Sequence, residues 1–471
     1  MLFPKSSVAS VVALALAGCT LAPPYTPPLV ATPVAYKEMG PWTPADPADQ
    51  TPRGDWWTVY GDQTLNDLER RVEAANPTLA LALARYDEAR ALAAQARSAL
   101  FPQVGATADA TRNRQSDDRP LRIGGPNYYG DNVVGGTVSY EFDFWGRVRN
   151  EVAAGKAQAQ AAGDDAASAR LSLEAQLAAA YMDMRGADAQ EKLLADTAIA
   201  YARALVLTKA QHDGGAVSGL DVGRAEAQLE SARAQEVDVA AQRALDEHLI
   251  ASLVGQPAST FSIAPVGDLL QPPRTPAAAP SLLLERRPDI AAAERRAAAA
   301  NANIGVARAA YFPSITLDAS GGFESAGGAN LLTAGNSLWT LGPAAALTLF
   351  DAGKRKAGIR AARDQFDEAS ASYRATVLSA FQEVEDNLAL CNRLADEADH
   401  QALSVRASQR TESLALTQYR MGSVTYLDVV TAQTADLDAE RIALVIATRR
   451  LQASVGLVRA LGGGWRNSEQ T

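Results

Sequence analysis

The segment Gly215-Ala216-Val217-Ser218-Gly219-Leu220-Asp221-Val222 returns as Gly422-Ser423-Val424-Thr425-Tyr426-Leu427-Asp428-Val429, with every matching position 207 residues on. Gly255 and Gly462 keep that offset, while Pro77 pairs with Pro288 and Phe101-Pro102 with Phe312-Pro313 at an offset of 211. The chain is therefore a duplication, and the first copy carries four extra residues between Pro102 and Gly146. Such a repeat restricts the fold to two copies of one supersecondary unit that must pack or pair to bury its apolar faces.

Periodicity defines the unit. Residues 65–100 are rich in Leu, Ala, Arg and Glu, with Pro77 starting or kinking the helix. Val134, Gly136, Val138, Tyr140, Phe142 and Phe144 then alternate with Thr137, Ser139, Glu141 and Asp143, a period of two that predicts a strand. In the second copy Ile315, Leu317, Ala319 and Phe323 form one row, and Trp339, Leu341, Ala345, Leu347 and Leu349 another, in which Pro343 predicts a bulge or local break. Hairpins are expected at about 103–145 and 314–350, with Gly- and Asn-rich loops between their strands. Residues 147–213 hold no proline and predict a helix roughly 100 Å long. Gly214-Gly215 supplies a left-handed C-terminal cap, and Ser218 or Thr425 an N-cap with Asp221 or Asp428 three positions later. Helices follow at 220–254, and in the second copy at 288–311, 353–420 and 427–461. The Pro-rich stretch 256–287 links copies spanning 61–255 and 288–465, and 466–471 is a tail.

Two amphipathic strands per copy, each about ten residues long, suit a tilted membrane crossing. Four such strands cannot close, because unpaired edges in lipid are forbidden. Two chains would supply eight strands around a filled interior, and three would supply twelve around a lumen. Glu141, Asp143 and Asp318 on the polar rows favour a wet interior.

Lys5 and the apolar run Val8–Ala17 predict a cleaved signal peptide over 1–18. Its end, Leu16-Ala17-Gly18-Cys19, resembles a bacterial lipobox, which implies acylation of Cys19 and retention at membrane lipid; Thr20 in place of aspartate then implies outer-membrane sorting. Nine prolines between Pro23 and Pro52 predict an extended tether over 19–60, with Trp42, Trp56, Trp57 and Tyr60 as anchors. A net charge of −10 argues against nucleic acid as partner. Three scattered histidines and two cysteines offer neither a zinc site nor a disulfide framework, and no Gly-x-Ser-x-Gly, Walker loop or metal-spaced His pair supports an enzyme or a cofactor.

The segments Ser139-Tyr140-Glu141-Phe142-Asp143-Phe144-Trp145-Gly146-Arg147, Leu284-Glu285-Arg286-Arg287-Pro288-Asp289-Ile290 and Leu349-Phe350-Asp351-Ala352-Gly353-Lys354-Arg355 resemble the signatures of TolC-like outer-membrane efflux proteins, closest to their lipoprotein branch. The resemblance implies a mainly helical fold with a membrane β-barrel. A homotrimer would form a 12-stranded β-barrel and a 12-helix tunnel, partnered by a periplasmic adaptor and an inner-membrane pump of the resistance-nodulation-division type. It further implies a periplasmic gate at Asp428, Asp221, Tyr419 and Thr431, with Asp428 lining the narrowing and Asp221 tethering. It places adaptor docking at the tips Gly215, Val217, Gly422 and Val424. Where some members of that family carry a basic tether and a second acidic ring, this chain has Val424 and Thr431. Arg420 is an alternative partner for Asp221. A periplasmic coiled-coil adaptor lipoprotein is the competing reading; it would share the lipobox and long helices but not four paired amphipathic strands.

Overall fold

The computed structural model describes residues 20–31, 33, 35–38, 54–118, 126–273 and 287–463. Cys19, the signal peptide, Trp42, Arg286 and the 466–471 tail lie outside them. The elements, in chain order, are α1 (Gln63–Ala75), α2 (Pro77–Ser98), β1 (Gln103–Arg114), β2 (Tyr128–Glu141), α3 (Arg147–Asp213), α4 (Gly219–Leu253), α5 (Pro288–Ala309), β3 (Ser314–Ser325), β4 (Ser337–Ala346), α6 (Lys354–Arg420) and α7 (Tyr426–Ala460). The order helix–strand–strand–helix–helix occurs twice with matched lengths. α2 and α5 have 22 residues each, β1 and β3 have 12, α3 and α6 have 67, and α4 and α7 have 35. β2 is longer than β4, 14 residues against 10, so the extra length of the first copy falls partly in a strand rather than wholly in a loop.

The stretch expected as one helix over 65–100 is two. Asn76 takes an extended backbone, since the residue before a proline is pushed out of the helical region, and Pro77 opens α2 where no N–H is needed. Asn76 holds the break from both sides: its Oδ1 accepts from Leu79 N at 3.0 Å and its Nδ2 donates to Leu253 O at 2.7 Å.

The chain divides into two compact units. One comprises residues 1–29, 85–163 and 292–374, and is built around an antiparallel sheet of order β1-β2-β3-β4. Pro343 neither bulges nor breaks β4, contrary to the sequence expectation: pairing with β3 runs unbroken through Leu317↔Pro343. β4 has a neighbour on one side only, and an edge strand tolerates a residue without an N–H. The rows expected to continue through Phe144 and Leu349 pass the last paired residues, because the chain turns there into helices. Gly146 (φ +76°), Ala352 (φ +49°) and Gly353 (φ +91°) make the corners in the left-handed region. Asp143 accepts from the N–H groups of Val148 and Arg149 at 3.2 and 2.8 Å, and Asp351 from those of Gly353 and Arg355 at 3.0 and 3.1 Å. Asp143 is therefore a helix cap and not a strand-face carboxylate; Glu141, likewise, is held by both Nε and Nη2 of Arg147, at 2.8 and 2.6 Å. Trp145 locks the corner by donating to Pro313 O at 2.8 Å and stacking on Phe312 with centroids 4.6 Å apart.

The other unit comprises residues 30–84, 164–291 and 375–471. Its core joins Trp56, Trp57, Tyr60, Leu65, Leu68 and Val72 to Leu177, Tyr181, Met182 and Met184 of α3, Ile250 and Leu253 of α4, and Leu451, Val455 and Val458 of α7. The three-four spacing of Leu65, Leu68 and Val72 puts these side chains on one face of α1. Asp62 caps α1 through Leu65 N at 3.0 Å and also accepts from Tyr181 Oη at 3.0 Å and Arg185 Nη1 at 2.7 Å. The linker is stitched to the helices by buried ion pairs. Arg243, paired with Asp188 at 2.6 Å, donates to Ile263 O, while Asp188 accepts from Val266 N and Arg185 donates to Asp268 O.

Candidate functional site

Two places carry the functional chemistry the sequence points to: the faces of the sheet and the turns joining the long helices. The register sorts the sheet into unlike faces. One row runs Val104, Val138, Ala319, Leu341; the next Ala106, Gly136, Gly321, Trp339; the next Ala108, Val134, Phe323, Ser337. The opposite face runs Gln103, Ser139, Asp318, Gly342; then Gly105, Thr137, Ser320, Thr340; then Thr107, Gly135, Gly322, Leu338; then Asp109, Val133, Glu324. Asp318 is satisfied within its face, accepting from Ser139 Oγ at 2.7 Å and Thr316 Oγ1 at 2.8 Å. The first face is apolar and solvent-exposed in the protomer, with Val104 79%, Trp339 78% and Leu341 61% accessible. A contiguous exposed apolar face on a polar-backed sheet is the pattern of a lipid-facing wall. Among the described residues no helix is long and apolar enough to cross a membrane.

The two helix turns are built alike. At the first, Gly215 (φ +74°) donates to His212 O at 2.9 Å and Ala216 N to Gln211 O at 2.8 Å, closing α3. Ser218 and Asp221 form a capping box at the start of α4, with Ser218 Oγ donating to Asp221 Oδ2 at 2.9 Å. His212 Nδ1 lies 2.9 Å from Val217 O and pins the turn from inside. At the second, Gly422 (φ +75°) donates to Tyr419 O at 2.9 Å, and Asp428 Oδ2 accepts from Thr425 N at 2.9 Å and Oγ1 at 2.7 Å. These Thr425 hydrogen bonds hold the exposed Asp428 carboxyl below its ordinary range, so it is ionised at neutral pH. Thr431, one turn on, is exposed and returns its hydroxyl to Leu427 O at 2.8 Å.

The remaining expected gate residues are engaged as follows. Asp221 is half-buried and its ion pair runs to Arg224 at 3.3 Å, not to Arg420. Tyr419 is buried, and its hydroxyl donates to Gln211 Oε1 at 2.5 Å. Its ring lies 5.4 Å from that of Tyr426, in a cluster with Ala225 and Val429. That cluster draws on α4, α6 and α7, with Leu205 of α3 packed against it, so all four long helices meet just inside the turns. Of the tip residues, Gly215 and Gly422 are exposed and Val217 and Val424 half-buried. Gln211 and Tyr426 are the residues that sequence reasoning missed. Gln211 is one of many polar positions in an Ala- and Gln-rich helix, and nothing in its spacing marks it; Tyr426 sits inside the repeated motif opposite Gly219, and that departure was a usable signal.

A family model described as outer membrane efflux protein matches residues 68–256 and 279–463. The toluene efflux pump outer membrane protein TtgF of Pseudomonas putida is 33% identical over 465 residues, spanning 96% of each chain. Outer membrane protein OprJ of Pseudomonas aeruginosa is 32% identical over 473 residues, spanning 97% of this chain and 95% of that one. Among solved structures, the outer-membrane channel OprN aligns with a TM-score of 0.87 at 30% identity, covering 95% of this chain and all of its own. These likenesses carry the efflux reading over the adaptor reading, in agreement with the paired amphipathic strands. The chain thus belongs to the outer membrane efflux protein family, and is a channel protein of the Gram-negative outer membrane.

Proposed function

We propose that the chain is the passive exit duct of a tripartite system, working as a homotrimer in which three sheets close a 12-stranded barrel and the long helices form a 12-helix tunnel. The observation that carries this reading is the sheet itself: among the described residues β1 and β4 end it with unpaired edges, and one of its faces is largely apolar. Edges in lipid must be paired, and closure by three copies leaves a lumen lined by the polar face. A periplasmic adaptor docks at Gly215, Val217, Gly422 and Val424, and an inner-membrane pump of the resistance-nodulation-division type supplies the energy. Asp428 and Thr431 line the narrowed end, where three ionised carboxylates favour cations, with Asp221 and Tyr419 as supports. Acyl chains on Cys19 anchor each protomer.

Single-channel recording of the purified protein in planar bilayers tests the duct. Cation-selective conductance is expected, with Asp428→Ala moving the reversal potential toward zero; an unmoved potential removes the charged ring, and no conductance even from tip variants removes the duct. For the anchor, labelling with radioactive palmitate is expected to vanish in Cys19→Ala, and label that persists places the acyl group elsewhere.

A further inference from the structure

Between Lys354 and Arg363, the first turns of α6, the chain carries five basic residues and no acidic one. A helix N-terminus disfavours cations, because its partial positive charge repels them, so this composition opposes local stability. Asp351 offsets part of the cost by capping the helix and pairing with Arg355 at 2.6 Å. Lys356, Arg360 and Arg363 have no such partner: all three are exposed, and none forms an ion pair with a described residue. Their spacing of four and three places them in one stripe along α6.

The stripe begins where the apolar face of the sheet ends. Past Ala346, the last paired residue of β4, the chain leaves the strand, and there Leu347, Leu349 and Phe350 are 48%, 88% and 86% exposed. The exposed aromatics Phe101, Tyr311, Phe312 and Phe144 belong to the same strand–helix corners. Apolar wall, aromatic fringe and basic stripe follow one another within a few residues, which is the order met in passing from acyl chains through the interface to headgroups.

An independent observation comes from the N-terminal segment, which is docked against this same unit. Thr20 Oγ1 donates to Asn150 Oδ1 at 3.1 Å in the first turn of α3, and Arg308 Nη1 donates to Leu21 O at 3.0 Å. Asn301 Nδ2 donates to Pro23 O at 2.9 Å, and Tyr25 Oη to Glu294 Oε1 at 2.7 Å. The segment thus runs along one face of α5, antiparallel to it, and is fixed within one residue of the cysteine proposed to be acylated. The described chain is thus held at the strand–helix corner up to Thr20, the residue that follows the proposed acylation site.

We propose that Lys356, Arg360 and Arg363 form a docking surface for anionic phospholipid headgroups of the membrane's inner leaflet, seated against the leaflet that receives the Cys19 acyl chains. This rests on the outer-membrane reading of the chain and on acylation at Cys19. The surface helps to fix how deep the channel sits, since headgroups held at α6 would act together with acyl chains on the residue before Thr20.

The test uses the full-length acylated protein in detergent, titrated with palmitoyl-oleoyl phosphatidylglycerol or the matching phosphatidylcholine, with bound lipid counted by native mass spectrometry. The wild type is expected to retain the anionic lipid several-fold over the zwitterionic one, with the preference falling as salt rises. The triple variant Lys356→Gln, Arg360→Gln, Arg363→Gln is expected to lose it, while Arg393→Gln, Arg406→Gln, Arg410→Gln, the same charge change elsewhere on α6, is expected to keep it. A preference that survives the triple variant overturns the proposal, as does equal loss in both variants. A shifted reversal potential with unchanged lipid retention overturns it too, by turning the stripe toward the lumen. Absence of the wild type from outer-membrane fractions is a separate failure, that of the outer-membrane reading itself.

Discussion

Arg287→Ala should cost about 1.5–3 kcal/mol, because it removes a buried cation whose charge-assisted hydrogen bonds hold two half-buried carboxylates and a helix-end carbonyl. The guanidinium is 8% exposed and makes four contacts: Nε and Nη2 fork onto Asp289 at 3.0 and 2.7 Å, and Nη1 reaches Glu383 Oε2 at 2.9 Å and Ala460 O at 3.0 Å. Those partners lie on the first turn of α5, on α6, and in the last turn of α7, where carbonyls have no helical partner. One side chain thus ties the start of one helix to the end of another. Without it, Asp289 and Glu383 share a polar cavity of about 140 Å³ with only Arg459 nearby, 3.9 Å from Glu383. Thermal unfolding of the detergent-solubilised protein reads the effect, and a variant that unfolds with the wild type dismisses the cluster as a support. Should the alanine protein not accumulate, Arg287→Lys serves instead. A lysine keeps the charge but loses the fork, so an intermediate loss is expected.

Glu69→Gln should remove a loss of stability that the wild type suffers as pH rises. Glu69 is wholly buried on α1, neither of its oxygens has a hydrogen-bond partner among the described residues, and burial, with the Glu174 charge adding, pushes its carboxyl up to about 10. Glu174 differs in being held by Trp56 Nε1 at 3.0 Å and Arg170 Nε at 2.7 Å. The sign follows from proton counting. Below about pH 4.5 folded and unfolded chains both carry the Glu69 proton, and the group adds no pH dependence. From there to about pH 10 only the folded state keeps it, so stability falls with rising pH by up to about 1.4 kcal/mol per unit. The amide cannot ionise and leaves packing unchanged. Melting temperatures between pH 5 and 9 should decline for the wild type and stay flatter for the variant, with the variant ahead at pH 8 by the largest margin of any single change considered. Parallel curves would show that the carboxyl is solvated and titrates normally.

The long helix Arg147–Asp213 was legible at both ends, because Gly146 and Gly214-Gly215 bracket a proline-free run of strong helix formers. The capping boxes at Ser218 and Thr425 were legible for the same reason: a cap is a contact between residues three apart, and local sequence contains it whole. Pro343 was misread because its cost depends on whether a neighbour needs its missing N–H, and strand order is not a local property. Asp143 was assigned to a strand face by alternation, although the chain had by then left the strand and needed a carboxylate to cap α3. At the turns, sequence reasoning picked out Tyr419 but not Gln211, the acceptor that its hydroxyl finds 208 residues away.

The division follows the range of the forces. Periodicity, caps and turn glycines act over a few residues, so the amino-acid order alone determined a duplicated helix–hairpin–helix–helix chain with apolar rows on one side of three of its four strands. Which side chains meet across hundreds of residues depends on how the helices pack, and only the tertiary structure decided that Arg287 would be buried among carboxylates, that Glu69 would keep its proton, and that Tyr419 would bond to Gln211. Desolvation is the reason: the same groups would be unremarkable in water, and their energies are set by the neighbours that exclude it.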